Sequence, residues 1–402
     1  MLKSKLYICS LKVLTYILYH LRNLFLLVIF IFVSIAVFSQ EKTDEDSTST
    51  IHPKRDSLVS KIIRINDKVY RVMQYCPAPV VSFSTETSWV FGLAKFNAFA
   101  LNKKDTLSQA SSVSEVIGVS FNGQMYLDIN AVFHWNENIN IGELTFGLEK
   151  FPRQFWGVGN DINPDSSALV TKSFLDVSPT YKRMILPNFY IGLSYNYYNV
   201  FDIKYTIDSI HHAKAYRGYD GGLNSGFGAL LSYDTRDNIY NASKGMFIQF
   251  ESDFYSKTFG SDFVFNRYKL DIRKYHPLGS FTFAYQLVTE SNFGDVPVYS
   301  KSMMGGSYRM RGYYEGQYRD NVIIDGQFEI RKHLFWLIGV TGFIGIGQVA
   351  PTYGDFNKDN FRMAAGGGLR LMVDKVHKTN LRFDMGFGIN TFTFFFGFSE
   401  AF

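Results

Sequence analysis

From Pro79 to the last residue the chain repeats one pattern, an apolar side chain at every second position with a polar or charged one between. In "GMFIQFESDFY" (245–255), Met246, Ile248, Phe250 and Phe254 fall on one face, and Phe247, Gln249, Glu251 and Asp253 on the other. In "NLRFDMGFGIN" (380–390), Leu381, Phe383, Met385, Phe387 and Ile389 alternate with Arg382, Asp384, Gly386, Gly388 and Asn390. In "NVIIDGQFEIR" (321–331), Ile324, Phe328 and Ile330 oppose Asp325, Gln327, Glu329 and Arg331. A period of two belongs to strands, because successive side chains point to opposite faces of a sheet. The chain therefore has to make sheets with one apolar and one charged face.

Alternation does not say which face is inside. A soluble sandwich buries the apolar side, whereas a transmembrane barrel turns it to lipid and lines a wet lumen with the polar one. Four features favour the second arrangement. The chain opens like an exported one, and nothing after that opening is long and apolar enough for a membrane helix. The strand-like runs are long, and aromatic residues gather at their ends, as in the girdles of outer-membrane barrels. With 39 Phe and 26 Tyr the chain is 17% aromatic, yet its mean hydropathy is −0.05. Apolar and polar residues are interleaved rather than segregated.

Residues 1–39 read as a signal peptide. Lys3, Lys5, Lys12 and Arg22 accompany the apolar run 24–38, no acidic residue precedes Glu41, and Ser39 offers a small residue near the cleavage point. A permanent anchor is the alternative, although the run is shorter than the roughly 20 residues a span needs. Without the leader the formal charge falls from +5 to +1, which leaves no basic excess to attract nucleic acid. Cys9 lies in the leader and Cys76 stands alone after it, so the mature chain has no internal disulfide and no cysteine metal cluster. Residues 40–78 begin "QEKTDEDSTST" and read as a largely flexible periplasmic segment. Residues 79–402 form the barrel.

Sixteen strand segments are predicted: 79–86, 88–101, 110–121, 124–136, 139–150, 167–183, 188–205, 222–236, 245–258, 262–276, 279–294, 319–334, 337–350, 360–374, 379–390 and 392–402. An even number suits a single-chain bacterial barrel. Asn122-Gly123 and "HPLG" (276–279) mark short turns, and longer loops fall near 151–166, 206–221, 295–318 and 351–359. The fold class is thus all-β, a 16-stranded antiparallel transmembrane barrel. A barrel of this size has a lumen too wide for its own side chains to fill.

One loop breaks the pattern. "MGGSYRMRGYYEG" (304–316) surrounds a single Arg311 with glycines and tyrosines. With Gly305-Gly306 ahead of Met310-Arg311-Gly312-Tyr313, between the eleventh and twelfth strands, the chain resembles the BamA/TamA-type outer-membrane assembly barrels, also called bacterial surface antigens. "SYDTRDNIYNASKGMF" (232–247) is similar to that family's periplasmic hairpin, with Ala242-Ser243 where Pro-Thr is common. "QFEIRKHL" (327–334), "GFIGIGQV" (342–349), "GGGLRL" (366–371) and the ending Glu400-Ala401-Phe402 are similar to its later strands and terminus. The resemblance covers about residues 79–402 and rests on the order of the motifs. It implies that the loop folds back into the lumen. Two departures stand out: 40–78 is too short for a periplasmic transport-associated domain, and Gly345 stands where the family's thirteenth strand carries an Asp near the loop arginine.

A guanidinium in a hydrated lumen needs acceptors. Asp325 and Glu329 lie on the inward face just after the loop and Asp384 on a later strand, so Arg311 is expected to pair with one of them, Glu329 first. Gly345 and Gly347, beside Phe343, would leave room for Tyr313 or the loop backbone. A solvated surface arginine is the alternative. Little points to catalysis. The glycine runs "GIGQVA" and "AAGGGLR" precede no helix and read as small residues on strands rather than nucleotide loops. Neighbouring His211 and His212 point opposite ways on a strand, and His134 has no evident partner. No metal and no cofactor is implied. The resemblance implies a single-chain outer-membrane barrel in contact with lipid, with a weak seam between its first and last strands, short pairing of 79–86 with 392–402, and a role in inserting or translocating nascent outer-membrane proteins or other components. A passive pore or structural surface barrel is the alternative.

Overall fold

The computed structural model describes residues 77–402, apart from 85–87, 103–104, 106, 110, 164–165, 206–213, 336 and 375–377. The expected leader, residues 40–76 of the segment after it, and the His211–His212 pair lie outside the described residues. Eleven strands precede the central loop: β1 (Ala78–Ser84), β2 (Ser88–Phe99), β3 (Ser111–Ser120), β4 (Met125–Trp135), β5 (Asn140–Phe155), β6 (Ala168–Leu186), β7 (Phe189–Tyr205), β8 (Gly222–Asp234), β9 (Gly245–Tyr255), β10 (Phe265–Leu278) and β11 (Phe281–Gly294). Inside the loop are two short strands, β12 (Ser302–Met304) and β13 (Tyr318–Asp320). Five more follow it: β14 (Val322–Phe335), β15 (Ile338–Ala350), β16 (Arg362–Asp374), β17 (Thr379–Gly388) and β18 (Thr391–Phe398). All except β12 and β13 form one 16-stranded sheet in chain order, and those two pair with each other as a separate ribbon.

The polarity is inside-out. On β17, Met385 and Phe387 are 39% and 54% exposed while Arg382 and Asp384 are 2% and 0%. On β14, Asp325, Gln327, Glu329 and Arg331 are buried one after another, and Phe328 between them is not. Phe250, Leu231, Leu287 and Ile344 likewise face outward. Burying charge while exposing Phe and Leu is unfavourable in water and expected when the outer medium is hydrocarbon.

Each of the sixteen predicted segments overlaps one strand of the sheet, but closure differs from expectation. Cα atoms of β1 and β18 come within 8 Å, yet among the described residues no hydrogen-bonded ladder joins them. The expected short pairing of 79–86 with 392–402 is therefore absent as a ladder. The edge strands have 7 and 8 residues, against 19 in β6, so few backbone groups are available to zip that edge. At the 276–279 turn, His276, Pro277 and Leu278 pair within β10, and the turn is Gly279 (φ 59°) with Ser280. Proline at a strand end lacks only the one donor. The segment 319–334 is two strands, because β13 stops at Asp320 and β14 begins at Val322.

Candidate functional site: the inward loop and its arginine

The chain between β11 and β14 turns inward over the faces of β14–β17. Gly305 and Gly306 sit at φ 103° and 98° and Gly312 at 140°, a left-handed region that disfavours other residues. Gly306 N–H donates to the Tyr313 carbonyl (3.1 Å) and Tyr313 N–H to the Met310 carbonyl (3.2 Å), which closes the tip into a compact turn. The β12–β13 ribbon braces its base, where Asn292 Nδ2 donates to Ser302 Oγ (3.0 Å).

Arg311 is buried at the centre. Its Nη1 donates to Asp384 Oδ2 (2.6 Å) and its Nη2 to Glu329 Oε2, and its guanidinium lies 3.7 Å over the Phe343 ring. It therefore holds two of the three carboxylates considered. The third, Asp325, meets Arg309 Nη1 at 2.9 Å. Residues four apart on a strand lie about 13 Å apart, so one guanidinium does not span Asp325 and Glu329, and the loop supplies one arginine to each.

The glycines divide the work differently from expectation. A Cβ on Gly345 would lie 3.1 Å from Met310 Sδ, so that glycine makes room for Met310. Gly347 abuts Asp325 on the neighbouring strand rather than the loop (2.8 Å to its Cβ). Tyr313 packs instead on Gly388, where a Cβ would stand 2.6 Å from Cζ. Its hydroxyl accepts from Ile389 N–H (3.0 Å) and donates to the Met363 carbonyl (2.9 Å). Burial raises the Tyr313 phenol above its ordinary value, so it stays protonated and able to donate. The run 366–368 also provides space: a Cβ on Gly366 would strike the Phe343 ring (2.5 Å), and one on Gly368 would strike Asp384 Oδ1 (2.0 Å).

Four residues not singled out for the site complete it. Arg331 Nε donates to Glu329 (2.6 Å), Arg370 Nη1 to Asp384 (2.6 Å), Arg382 Nη1 to Asp384 (3.2 Å) and to the Ser307 carbonyl (2.6 Å), and Arg370 Nε to Glu400 (2.6 Å). The cluster sets Arg311, Arg331, Arg370 and Arg382 against Glu329, Asp384 and Glu400, all nine-tenths buried or more. Its alternating charges supply strong hydrogen bonds where water is scarce. It can lock the loop to the wall; it presents no nucleophile and base in contact.

Glu329→Gln is accordingly expected to loosen the loop, since it removes a charge held by Arg311 and Arg331 at once. Asp325→Asn should do so less, because Arg309 is part-exposed and water can replace its partner. Trypsin cleavage after Arg309 or Arg311 in the detergent-folded chain, mapped by mass spectrometry, measures this. Faster cleavage in Asp325→Asn than in Glu329→Gln would reverse the assignment.

The loop itself lines two open spaces. A cavity of about 750 Å³ is lined by Asp128, Glu149, Asp176, Arg267, Glu290, Tyr308 and Arg309. A second, of about 450 Å³, is lined by Arg267, Glu290, Tyr308 and Arg309 as well, together with Ser399–Phe402.

Residues 135–402 match the Omp85 superfamily domain. Among solved structures the fold is similar to BamA from Haemophilus ducreyi lacking POTRA domains 1–3, with a TM-score of 0.52 and 11% identity over 87% of this chain and 80% of that one. CdiB from Escherichia coli gives a TM-score of 0.52 and 8% identity over 84% and 70%. CdiB from Acinetobacter baumannii gives 0.51 and 10% over 79% of this chain and 58% of that one. No curated protein sequence matches the chain. At such identities the likeness to these structures is one of fold.

Proposed function

The chain belongs to the Omp85 superfamily, and from that premise we propose that it resides in the bacterial outer membrane and helps to insert or translocate outer-membrane components. The observation that carries the reading is that, among the described residues, no ladder joins β1 and β18 in a sheet whose other neighbours are all laddered. Free N–H and C=O groups on facing edges are a template for an incoming strand. The loop anchored by Arg311 supports the reading by stiffening β14–β17 next to that edge. The reading includes no catalytic step and no resident cofactor; lipid is the constant partner, and nascent outer-membrane proteins are the client class.

Depletion of the protein followed by quantitative outer-membrane proteomics tests it. A subset of barrel proteins should fall in abundance before growth slows; an unchanged outer-membrane proteome would remove the proposal.

A second reading, a passive pore, is favoured by the two cavities whose shared wall is Arg267, Glu290, Tyr308 and Arg309. Under it, planar-bilayer conductance should rise severalfold when 300–318 are replaced by a short linker, while depletion leaves the proteome intact.

A further inference from the structure

Both carboxylates that hold Arg311 are shared with an arginine that holds the segment after β18. On one side Arg331 donates to Glu329 through Nε (2.6 Å) and to the Phe402 backbone oxygen through Nη2 (2.8 Å). On the other, Arg370 donates to Asp384 through Nη1 and to Glu400 through Nε, each at 2.6 Å. The segment is firmly seated. Asn380 Nδ2 donates to the second Glu400 oxygen (2.6 Å), Glu400 N–H donates to the Tyr240 carbonyl (3.2 Å), and Phe402 packs with Tyr275, Ala242 and Ala284. Glu400, Ala401 and Phe402 are each less than a tenth exposed. The chain leaves β18 at Ser399, φ 63°, and crosses to the 235–244 hairpin and to β10.

We infer that Ser399–Phe402 is a latch coupled to the inward loop through these two arginine relays. Among the described residues no ladder joins the last strand to β1; beyond its ladder to β17, its end is tied to Arg331 on β14, Arg370 on β16 and Asn380 on β17, and across the mouth to Tyr240 and to Tyr275 on β10. The coupling comes from competition for oxygens. With the segment withdrawn, Arg331 and Arg370 lose the Phe402 backbone oxygen and the Glu400 carboxylate. They then turn on Glu329 and Asp384, which Arg311 needs, and four buried arginines share two carboxylates. Seating the segment therefore strengthens the seating of the loop, and the reverse follows by linkage. This holds whether the chain inserts proteins or conducts.

The test uses the full chain in detergent micelles. In Glu400→Gln and in a chain ending at Ser399, trypsin cleavage after Arg309 or Arg311 should accelerate by about 5- to 150-fold, the range of ordinary coupling energies. In the reciprocal arm, Ala401→Cys is placed in a Cys9→Ser, Cys76→Ser background. Its maleimide modification should accelerate similarly on adding Arg311→Lys, which keeps the charge but loses the two-pronged geometry. Asp295→Asn, which breaks the exposed Arg217–Asp295 pair, should change neither rate. Phe402→Ala keeps every side-chain charge and serves if the shortened chain does not fold. Unchanged loop cleavage in Glu400→Gln and Phe402→Ala, with native heat-modifiable migration, overturns the latch. So does acceleration in one arm without the other.

Discussion

Asp384→Asn should destabilise the folded chain by about 3–5 kcal/mol, the cost of leaving buried charges uncompensated, and should be the most damaging single charge removal in the lumen. The carboxylate accepts from three arginines, Arg311 and Arg370 at 2.6 Å and Arg382 at 3.2 Å. Without it four guanidiniums share Glu329 and Glu400. Donors are already in excess, since Arg311 Nε and Arg382 Nε make no hydrogen bond among the described residues. Arg311→Ala should act differently. It leaves Glu329 with Arg331, and Asp384 with Arg370 and Arg382, so the wall remains neutralised while the loop, and the 399–402 segment coupled to it, is loosened. Urea unfolding in lipid vesicles, followed by tryptophan fluorescence and by heat-modifiable migration, separates the two variants. Asp384→Asn should lower the midpoint strongly, whereas Arg311→Ala should keep most of it and gain loop cleavage. Equal losses would show that the loop and the wall are one cooperative unit.

Much of this architecture can be read from alternation, because the side-chain period of a strand is fixed and a one-residue slip would move every charge to the lipid face. Arg382, Asp384, Glu329 and Arg331 are marked as inward by position alone. What alternation does not carry is height along the lumen. Asp325 and Glu329 occupy the same face of β14, and the choice between them depends on how deep the loop reaches. That depth is set by the β12–β13 ribbon, whose strands of three residues are too short to leave a periodic trace. Hence Arg309, two residues from Arg311, takes the carboxylate that sequence reasoning held open for its neighbour.

The role of Arg370 was hidden for a related reason. It stands in "GGGLRL", where the glycines draw attention, and their purpose is spatial: Gly368 clears the place that Asp384 occupies. That relation comes from the register of β16 on β17, Gly368 opposite Asp384, which the sequence of either strand alone does not determine. Glu400 is harder still. It follows the last strand, and only the left-handed Ser399 sends it inward. That no ladder joins β1 and β18 among the described residues has a weak sequence correlate in the shortness of the first and last segments.

The other large effect is steric, and it falls on Gly386. A Cβ there would lie 2.2 Å from the carbonyl oxygen of Arg311 and 2.4 Å from its carbon. Both are backbone atoms, so no side chain can swing aside. From the loop side, a Cβ on Gly312 would lie 2.6 Å from the backbone carbon of Phe387. Gly386→Ala must therefore lift the loop off β17, at a cost at or above the upper end of the usual overpacking range of about 1–3 kcal/mol. Because the guanidinium is carried on that backbone, a displacement of about 1 Å is enough to spoil charge-assisted bonds of this length. The clash and the lost ion pairs release the same element, so their effects should not add. Tryptic cleavage after Arg309 should be as fast in Gly386→Ala as in Arg311→Ala, and no faster in the double variant than in either single one. Gly342→Ala, where a Cβ meets nothing within 4 Å, is the control and should be silent. Were the double variant to cleave much faster than both singles, the backbone contact at Gly386 and the charges on Arg311 would be holding the loop independently, and the arginine would not depend on close approach to β17 for its place.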